Sequence, residues 1–251
     1  MCRLAALNQM KTPLKANCNV EPSQRCCGNN DSMEALQEFA RTTTYNFVAN
    51  ESDMYEAMDT SLYRYVLLLR ESQSRYLSHY RHVYRSTSSR TVTFGEESFS
   101  SWWKGQPDNF SFRKICGTRC MDVPKYKITK ELFAYTMDRL DKFEDFLFLD
   151  NFDESLKKFS KHVGWSKRPR YAQNEDKTEK HMYPSLETDD WDPNMSALDD
   201  AIYEFALQKY NGTTQPSLSE QTQGDVEKYF EHGATSLCTH PCCTEAACSV
   251  Y

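Results

Sequence analysis

The stretch YVLLLRESQSRYLSHYRH, residues 65–82, joins two patterns of secondary structure without an intervening loop. It begins inside the near-continuous apolar run at residues 63–69, which is typical of a strand covered on both faces in a parallel sheet. Over residues 72–84, apolar side chains including Tyr76 and Tyr80 recur at three- and four-residue spacing, which predicts an amphipathic helix. A strand followed at once by a helix is the repeating unit of α/β proteins.

The rest of the chain continues this alternation. Two further short apolar runs predict strands, YNFVAN at residues 45–50 and FEDFLFL at residues 143–149. Amphipathic spacing predicts the remaining helices, at residues 128–140 with Thr129 as the cap, 152–163 closing on Gly164, 198–210, and a solvent-exposed one at 220–232. We therefore expect an α/β fold in which a parallel sheet is flanked by helices.

The two ends of the chain differ in composition from its middle. Eight of the ten cysteines lie in the ends, and for Cys116 and Cys120 a disulfide, a free buried pair or neither is open. We expect a Cys-containing tail or loop with the start of a helix over residues 1–44, one domain over 45–213, and a helix with a Cys-rich tail over 214–251. The C-terminal cysteines lack a second spaced pair, so no metal site is predicted.

Charge and hydropathy narrow the class of protein. The formal net charge of −6 argues against a nucleic-acid-binding domain, since such domains are usually strongly basic. No run of about 18 apolar residues occurs, so no transmembrane helix is predicted in this chain. Cysteines and five N-glycosylation tripeptides favour the secretory lumen, in which case we expect the targeting segment to be missing from this sequence. The tripeptides begin at Asn30, Asn50, Asn109, Asn194 and Asn211.

Arg70 and Ser78 carry the chemistry of the opening stretch. Arg70 ends the apolar run, and Ser78 follows eight residues later on the predicted helix, so we expect both at one corner of the fold. Open α/β sheets bind ligands in the crevice at the carboxyl ends of parallel strands. A guanidinium there presents a planar fork to two phosphate oxygens, and a hydroxyl can donate a third hydrogen bond. The alternative is an ordinary strand-end arginine paired with Glu71 or with a helix acid.

This segment resembles the 3′-phosphate-binding motif of PAPS-dependent sulfotransferases, in which a strand is followed by Leu-Arg-Asp-Pro and then by an arginine and a serine at fixed spacing. Here residues 69–78 read LRESQSRYLS. The resemblance implies that Arg70 and Ser78 contact the 3′-phosphate, and that Arg75 is a structural or phosphate-proximal position. Residues 71–72 are Glu-Ser where the family has Asp-Pro, which we expect to loosen the turn without removing the binding groups.

Further segments are similar to membrane-bound carbohydrate-type sulfotransferases, in the family's order, up to about residue 210. They lie at residues 108–117 (DNFSFRKICG), 128–132 (ITKEL), 143–156 (FEDFLFLDNFDESL), 163–165 (VGW) and 198–206 (LDDAIYEFA). The resemblance implies a P-loop-like α/β fold, PAPS as co-substrate and a carbohydrate hydroxyl as acceptor. It also implies a Golgi-type lumenal location.

One part of the family pattern is missing from this sequence. The family holds the 5′-phosphosulfate in a Lys-x-Gly-x-Thr type loop, and nothing before Arg70 matches that loop. Residues 11–15 (KTPLK) have no glycine and no preceding apolar strand. We therefore expect either a truncated or late-starting sulfotransferase, or a protein of the same fold that binds PAP or PAPS without catalysing. A Cys-rich secreted interaction protein, whose tails bind and whose core is only support, is the rival from another class.

The remaining candidate residues flank the motif. Relatives use a His or Glu as general base ahead of the 3′-phosphate motif, and Glu51 is the best-placed carboxylate here. An acid that merely favours the start of a helix is the alternative for Glu51. The helix pattern alone places Arg75, His79 and His82 on a solvated helix face.

Overall fold

The structure, a computed structural model, describes residues 5, 8–12, 41, 47, 54, 58–88, 99–167 and 191–235, with the side chains of residues 81–88 and 235 left aside. In this part of the chain helices predominate, and two strands form a small parallel sheet, so the protein belongs to the α/β class. The strand expected at residues 45–50 lies outside the described residues apart from Phe47. Within the same ranges no helix combines the length and the apolar character needed to cross a bilayer.

The two strands of the sheet coincide with two of the predicted apolar runs. β1 is Val66–Leu69 and β2 is Asp145–Phe148, and they pair in parallel with Val66 opposite Asp145. Both strands are shorter than the runs that contain them. In β1 only Leu69 is buried, and Leu68 is 45% exposed, so the expectation that this strand is covered on both faces is wrong at Leu68.

Eight α-helices have both ends within the described ranges, and five of them were predicted. The helices are α1 Ser72–Ser88, α2 Phe99–Lys104, α3 Phe110–Cys116, α4 Thr118–Met121, α5 Lys130–Asp141, α6 Phe152–His162, α7 Ala197–Tyr210 and α8 Glu220–Thr235. The missed helices α2, α3 and α4 are the three shortest, with too few turns to show an amphipathic period.

Local signals fix the ends of two predicted helices. At the start of α5, the Thr129 hydroxyl accepts a hydrogen bond from the Leu132 amide at 3.3 Å, as an N-cap side chain does. After α6, Gly164 adopts φ 72°, a left-handed conformation that suits glycine. The turn lets the Trp165 amide donate to the Ser160 carbonyl at 2.7 Å. These two signals were read correctly from the sequence.

The sheet separates two apolar clusters, because successive side chains of β2 point to opposite faces. Phe146 and Phe148 join a large cluster with Leu69 of β1 and with side chains of α3, α5, α7 and α8. Leu147 joins a smaller cluster on the other face, formed mainly by α6. Helices therefore lie against both faces of the sheet, as the strand and helix order predicts.

Helix α8 is packed into the large cluster rather than solvated. Val226 is 5% exposed and Tyr229 is fully buried, so the expectation of a solvent-exposed helix is wrong. Only a narrow stripe of α8 is apolar, because Glu227 and Lys228 separate Val226 from Tyr229 and Phe230, and Glu231 follows. The buried tyrosine finds a polar partner that the sequence did not reveal, since its hydroxyl donates to Asp108 at 2.6 Å.

A buried ion pair between Asp108 and Arg113 lies at the centre of the helical layer. The Arg113 guanidinium bonds the Asp108 carboxylate, and both side chains are almost completely buried. The guanidinium also donates to the carbonyls of Asp108, Cys120 and Val123 at 2.8, 2.7 and 2.6 Å. The other carboxylate oxygen accepts from the Tyr229 hydroxyl and from the Tyr126 amide, at 2.6 and 3.2 Å. Each charge is thus matched by several hydrogen bonds, which a buried ion pair requires.

The disulfide question is also answered in this region. Cys116 and Cys120 form a disulfide with their Cα atoms 5.7 Å apart, and both residues are fully buried. The bond closes the turn between α3 and α4, whose Cys120 carbonyl accepts from Arg113. Of the three alternatives open from the sequence, the structure has the disulfide.

We expect the Arg113→Met substitution to lower the free energy of unfolding by about 3–5 kcal/mol, because it leaves the Asp108 charge buried without its counterion. Urea denaturation at pH 7 measures the loss. The matched control is Arg64→Met, because Arg64 and Glu144 form an ion pair at 2.9 Å with each side chain 41% exposed. That substitution should cost less than about 1 kcal/mol. Equal costs for the two variants would contradict a central role for the buried pair.

Candidate functional site

Arg70 lies at the carboxyl edge of the sheet, where the sequence placed it. It follows the last residue of β1 and is half-buried. Because β1 and β2 run parallel, the residues after β2 meet it at the same edge, and Asp150 lies there. Among the described residues, the Arg70 guanidinium makes no hydrogen bond and no ion pair. A half-buried guanidinium without a counterion among the described residues marks this edge as a candidate anion site.

Glu71 is not the partner of Arg70. Its two carboxylate oxygens accept from the amides of Gln73 and Ser74, at 3.0 and 2.8 Å. These amides belong to the first turn of α1 and have no partner within the helix, so Glu71 acts as the N-terminal cap. The alternative in which Arg70 is an ordinary arginine paired with Glu71 is therefore wrong.

The turn between β1 and α1 is held by two other elements. The Glu71 amide donates to Asp150 after β2 at 2.9 Å. The Ser72 hydroxyl donates to Asp200 in α7 at 2.6 Å, and Ser72 is 2% exposed. The expectation that residues 71–72 loosen the turn is therefore wrong, because hydrogen bonds from the sheet and from α7 replace the rigidity that a proline would give.

Ser78 lies in the second turn of α1 and is half-buried. It is roughly 9 Å along the helix axis from Ser72. In the described part of the chain its hydroxyl makes no hydrogen bond, and neither does the hydroxyl of Ser74. Because Ser74 and Ser78 are four residues apart, they share one helix face. The sequence analysis missed Ser74, although the same four-residue spacing could have identified it.

Arg75 is a structural residue, and its predicted solvated position is wrong. Its side chain is only 15% exposed, and the guanidinium carbon lies 4.0 Å from the centre of the Tyr76 ring and 4.2 Å from that of Phe110. Its Nη2 atom is 3.8 Å from Oδ2 of Asp199 in α7. Arg75 therefore ties α1 to α3 and α7. Of the two roles that the resemblance left open for Arg75, these contacts fit the structural one.

The remaining candidates from the sequence are His79, Glu51 and His82. The ring of His79 lies 5.3 Å from that of Trp102 and 6.3 Å from that of Phe110, so its expected position on a solvated face is also wrong. Helices α2 and α3 cover that face of α1, and the sequence signal for both was too short to read. Glu51 and the side chain of His82 lie outside the described residues.

Three carboxylates bond the turn that carries Arg70, and the sequence analysis did not foresee their contacts. Glu71, Asp150 and Asp200 are joined to the turn by the hydrogen bonds given above. Loss of surrounding water raises the pKa of Asp200, and repulsion from Glu71 raises it further, while hydrogen bonds from Ser72 and Ser196 lower it. Asp150 could have been found from the sequence, because it lies two residues after the end of β2, just as Arg70 lies one residue after the end of β1.

Asp199 is the buried acid behind this corner. Its Oδ1 atom accepts from the Phe112 amide at 2.7 Å, while Oδ2 is buried without a hydrogen-bond partner. Burial raises the pKa of Asp199 to about 6, and the nearby charge of Arg75 opposes part of that rise. The carboxyl group therefore changes protonation state in mildly acidic solution.

The arrangement can bind an anion. Arg70 at the end of β1 and the hydroxyls of Ser74 and Ser78 in the first two turns of α1 can all donate hydrogen bonds, which suits a group with three oxygens. Within the described ranges, no group of three or more His, Cys, Asp or Glu side chains could hold a metal ion. Comparison of the chain with protein-family models, with curated proteins and with solved structures found no match.

The raised pKa of Asp199 predicts a pH dependence of stability. The folded protein holds this proton more tightly than the unfolded chain, whose carboxyl has a pKa of 3.8, so the free energy of unfolding falls as pH rises from about 4 to about 6. The fall amounts to roughly 3 kcal/mol. In Asp199→Asn the amide oxygen still accepts from Phe112, and this fall should disappear. Urea denaturation at several pH values checks it.

The control is Asp122→Asn, which removes an exposed carboxylate outside the cluster. This variant should keep the pH dependence of the wild type, because Asp122 is exposed and makes no contact with Asp199. If Asp199→Asn kept the full pH dependence as well, Asp199 would not be the group responsible.

Proposed function

We propose that the chain is a carbohydrate-sulfotransferase-type protein that binds the 3′-phosphate of PAPS with Arg70 and Ser78. The observation that carries this proposal is the contrast in hydrogen bonding at the carboxyl edge of the sheet. Glu71 and Ser72 are bonded within the protein, whereas Arg70 and Ser78 have no partner in the described part of the chain. Arg70 and Ser78 are also the residues that the sulfotransferase motif assigns to the phosphate.

The fold supports the proposal at a coarse level. A parallel strand pair with helices on both faces is the architecture in which ligands bind at the carboxyl ends of the strands. We also propose that β1 and β2 are part of a larger sheet of the P-loop-like type. The buried disulfide between Cys116 and Cys120 fits a lumenal location of the Golgi type, because buried disulfides persist in oxidising compartments.

The proposed reaction is an in-line transfer of a sulfuryl group. A carbohydrate hydroxyl oxygen forms a bond to sulfur, the bond from sulfur to the 5′-phosphate oxygen breaks, and 3′-phosphoadenosine 5′-phosphate (PAP) leaves. The hydroxyl proton passes to a general base, for which Glu51 is the proposed residue. Arg70 and Ser78 bind the donor at the phosphate far from the reacting sulfur, so their contribution is to orient it.

A second candidate function is PAP or PAPS binding without catalysis. The specific observation in its favour is the charge at the turn between β1 and α1, where three carboxylates, Glu71, Asp150 and Asp200, are bonded around the segment that carries the single cation Arg70. Such a corner accommodates one phosphate and repels further negative charge. The Lys-x-Gly-x-Thr type loop, which would bind the second anionic group of PAPS, has no counterpart in the sequence.

Calorimetric titration with PAP tests the donor site. Arg70→Ala should weaken binding by at least about 30-fold, because losing a phosphate-arginine contact costs about 2–5 kcal/mol. Ser78→Ala removes one hydrogen bond to a charged group and should weaken binding roughly tenfold. The control Arg64→Ala removes an exposed arginine just before β1, whose partner is Glu144, and should leave the affinity unchanged.

Adenosine 5′-monophosphate, which lacks the 3′-phosphate, is the control ligand for the contact between Arg70 and that phosphate. It should bind wild type and Arg70→Ala with equal affinity, because the contact under test is absent from both complexes. A folded wild type that does not bind PAP, or an equal loss in Arg64→Ala, would sink the proposal. Transfer of labelled sulfate from PAPS to glycans then separates the two functions, since the second candidate predicts binding without transfer.

A further inference from the structure

Three N-glycosylation tripeptides lie in the described residues, and the structure separates them by accessibility. They begin at Asn109, Asn194 and Asn211, and those at Asn30 and Asn50 lie outside the described ranges. A glycan is bulky and hydrophilic, so a modified asparagine must point into solvent in the folded protein. Burial and hydrogen bonding of each asparagine therefore decide which can carry one.

Asn109 is incompatible with a glycan. It is fully buried, and its Oδ1 atom accepts from the amides of Leu198 and Asp199 at 2.8 and 3.3 Å. Its Nδ2 atom, to which a sugar would be attached, donates to Asp108 and to the Asn194 carbonyl at 3.1 and 3.3 Å. The oxygen and the nitrogen of the side-chain amide are thus both bonded within the protein, where they hold the start of α7.

The Asn194 side chain is also hydrogen-bonded within the protein. It is half-buried, and its Nδ2 atom donates to Asp192 at 3.0 Å. The serine of its tripeptide, Ser196, is 4% exposed, and its hydroxyl donates to Asp200 at 2.9 Å. The hydroxyl that a glycosylating enzyme must reach is therefore buried in the turn before α7.

Asn211 has the opposite environment. The tripeptide of residues 211–213 is exposed throughout, and in the described part of the chain the side chains of Asn211 and Thr213 make no hydrogen bond. Gly212 adopts φ 92°, so the chain leaves α7 in a tight turn that projects from the surface. Leu207, one turn earlier on α7, is 40% exposed and would be shielded by a sugar attached nearby.

We infer that Asn211 is an N-glycosylation site of the folded protein. In the step, the Asn211 side-chain nitrogen forms a bond to the anomeric carbon of an oligosaccharide carried on a lipid pyrophosphate. The bond between that carbon and the pyrophosphate oxygen breaks, and the pyrophosphate leaves with the amide proton. The host cell supplies the lipid-linked donor and its transferase in the lumen of its secretory pathway. The inference therefore requires that the chain pass through this lumen. It does not require that the chain bind PAP.

The site lies away from the Arg70 corner. The hydroxyl of Tyr203 donates to Asp150 after β2 at 3.3 Å, while Lys209 reaches Asp141, before β2, at 2.9 Å. Asn211 follows Asp200 by eleven residues, which is roughly 16 Å along the axis. A glycan at Asn211 thus leaves the carboxyl edge of the sheet open.

Expression of the full chain behind a cleavable signal peptide in a eukaryotic secretory host tests the inference. Release of glycans by an amidase converts each modified asparagine to aspartate, and peptide mass spectrometry then locates the sites. We expect Asn211 to be converted and Asn109 and Asn194 to remain asparagine. Asn211→Gln and Thr213→Ala should each abolish this modification, and the matched control Thr213→Ser should keep it.

The signal peptide makes the outcome independent of the native targeting of the chain and of the proposed function. Unmodified Asn211 in chains that carry a glycan at Asn30 or Asn50 would overturn the inference, and so would chains without any glycan. A glycan at Asn109 in the secreted, folded protein would overturn the burial argument on which it rests.

Discussion

The buried ion pair of Asp108 and Arg113 is the interaction on which the rest of the described structure depends. It joins the start of α3 to the disulfide turn through the Cys120 carbonyl, and to α8 through the Tyr229 hydroxyl. A charge placed this deep costs several kcal/mol unless its hydrogen bonds are made, so these surrounding elements must all adopt their native positions together. The pair thus makes the helical layer cooperative.

The same centre determines the geometry of the candidate site. Next to Asp108, Asn109 has the left-handed φ of 48° and directs its amide oxygen at the first turn of α7. That turn carries Asp200, which holds Ser72, and Asp199, which lies beside Arg75. The orientation of α1, and with it the position of the unpaired donors, therefore follows from polar contacts that begin at the ion pair.

Features that are local in sequence could be predicted, and those made by distant partners could not. Thr129 at the start of α5 and Gly164 after α6 act within a few residues of their own position, so the pattern identified them. Nothing in the sequence indicated that Arg113 is buried, because the groups that bury it come from several other elements. The same distinction holds for the residues of the candidate site. Arg70 was identified because it lies at the end of a predicted strand. Asp200 was missed because its partner Ser72 lies 128 residues away.

The parallel pairing of β1 with β2 has a consequence for how the protein folds. The two strands are separated by 79 residues, the distance from Val66 to Asp145, and helices α1 to α5 lie between them. Closing so long a loop is entropically costly and makes the contact slow to form. During synthesis the four apolar residues of β1 emerge well before their partner strand exists. We therefore expect the sheet to form late in folding, with β1 lacking its partner strand while α1 to α5 are being synthesised.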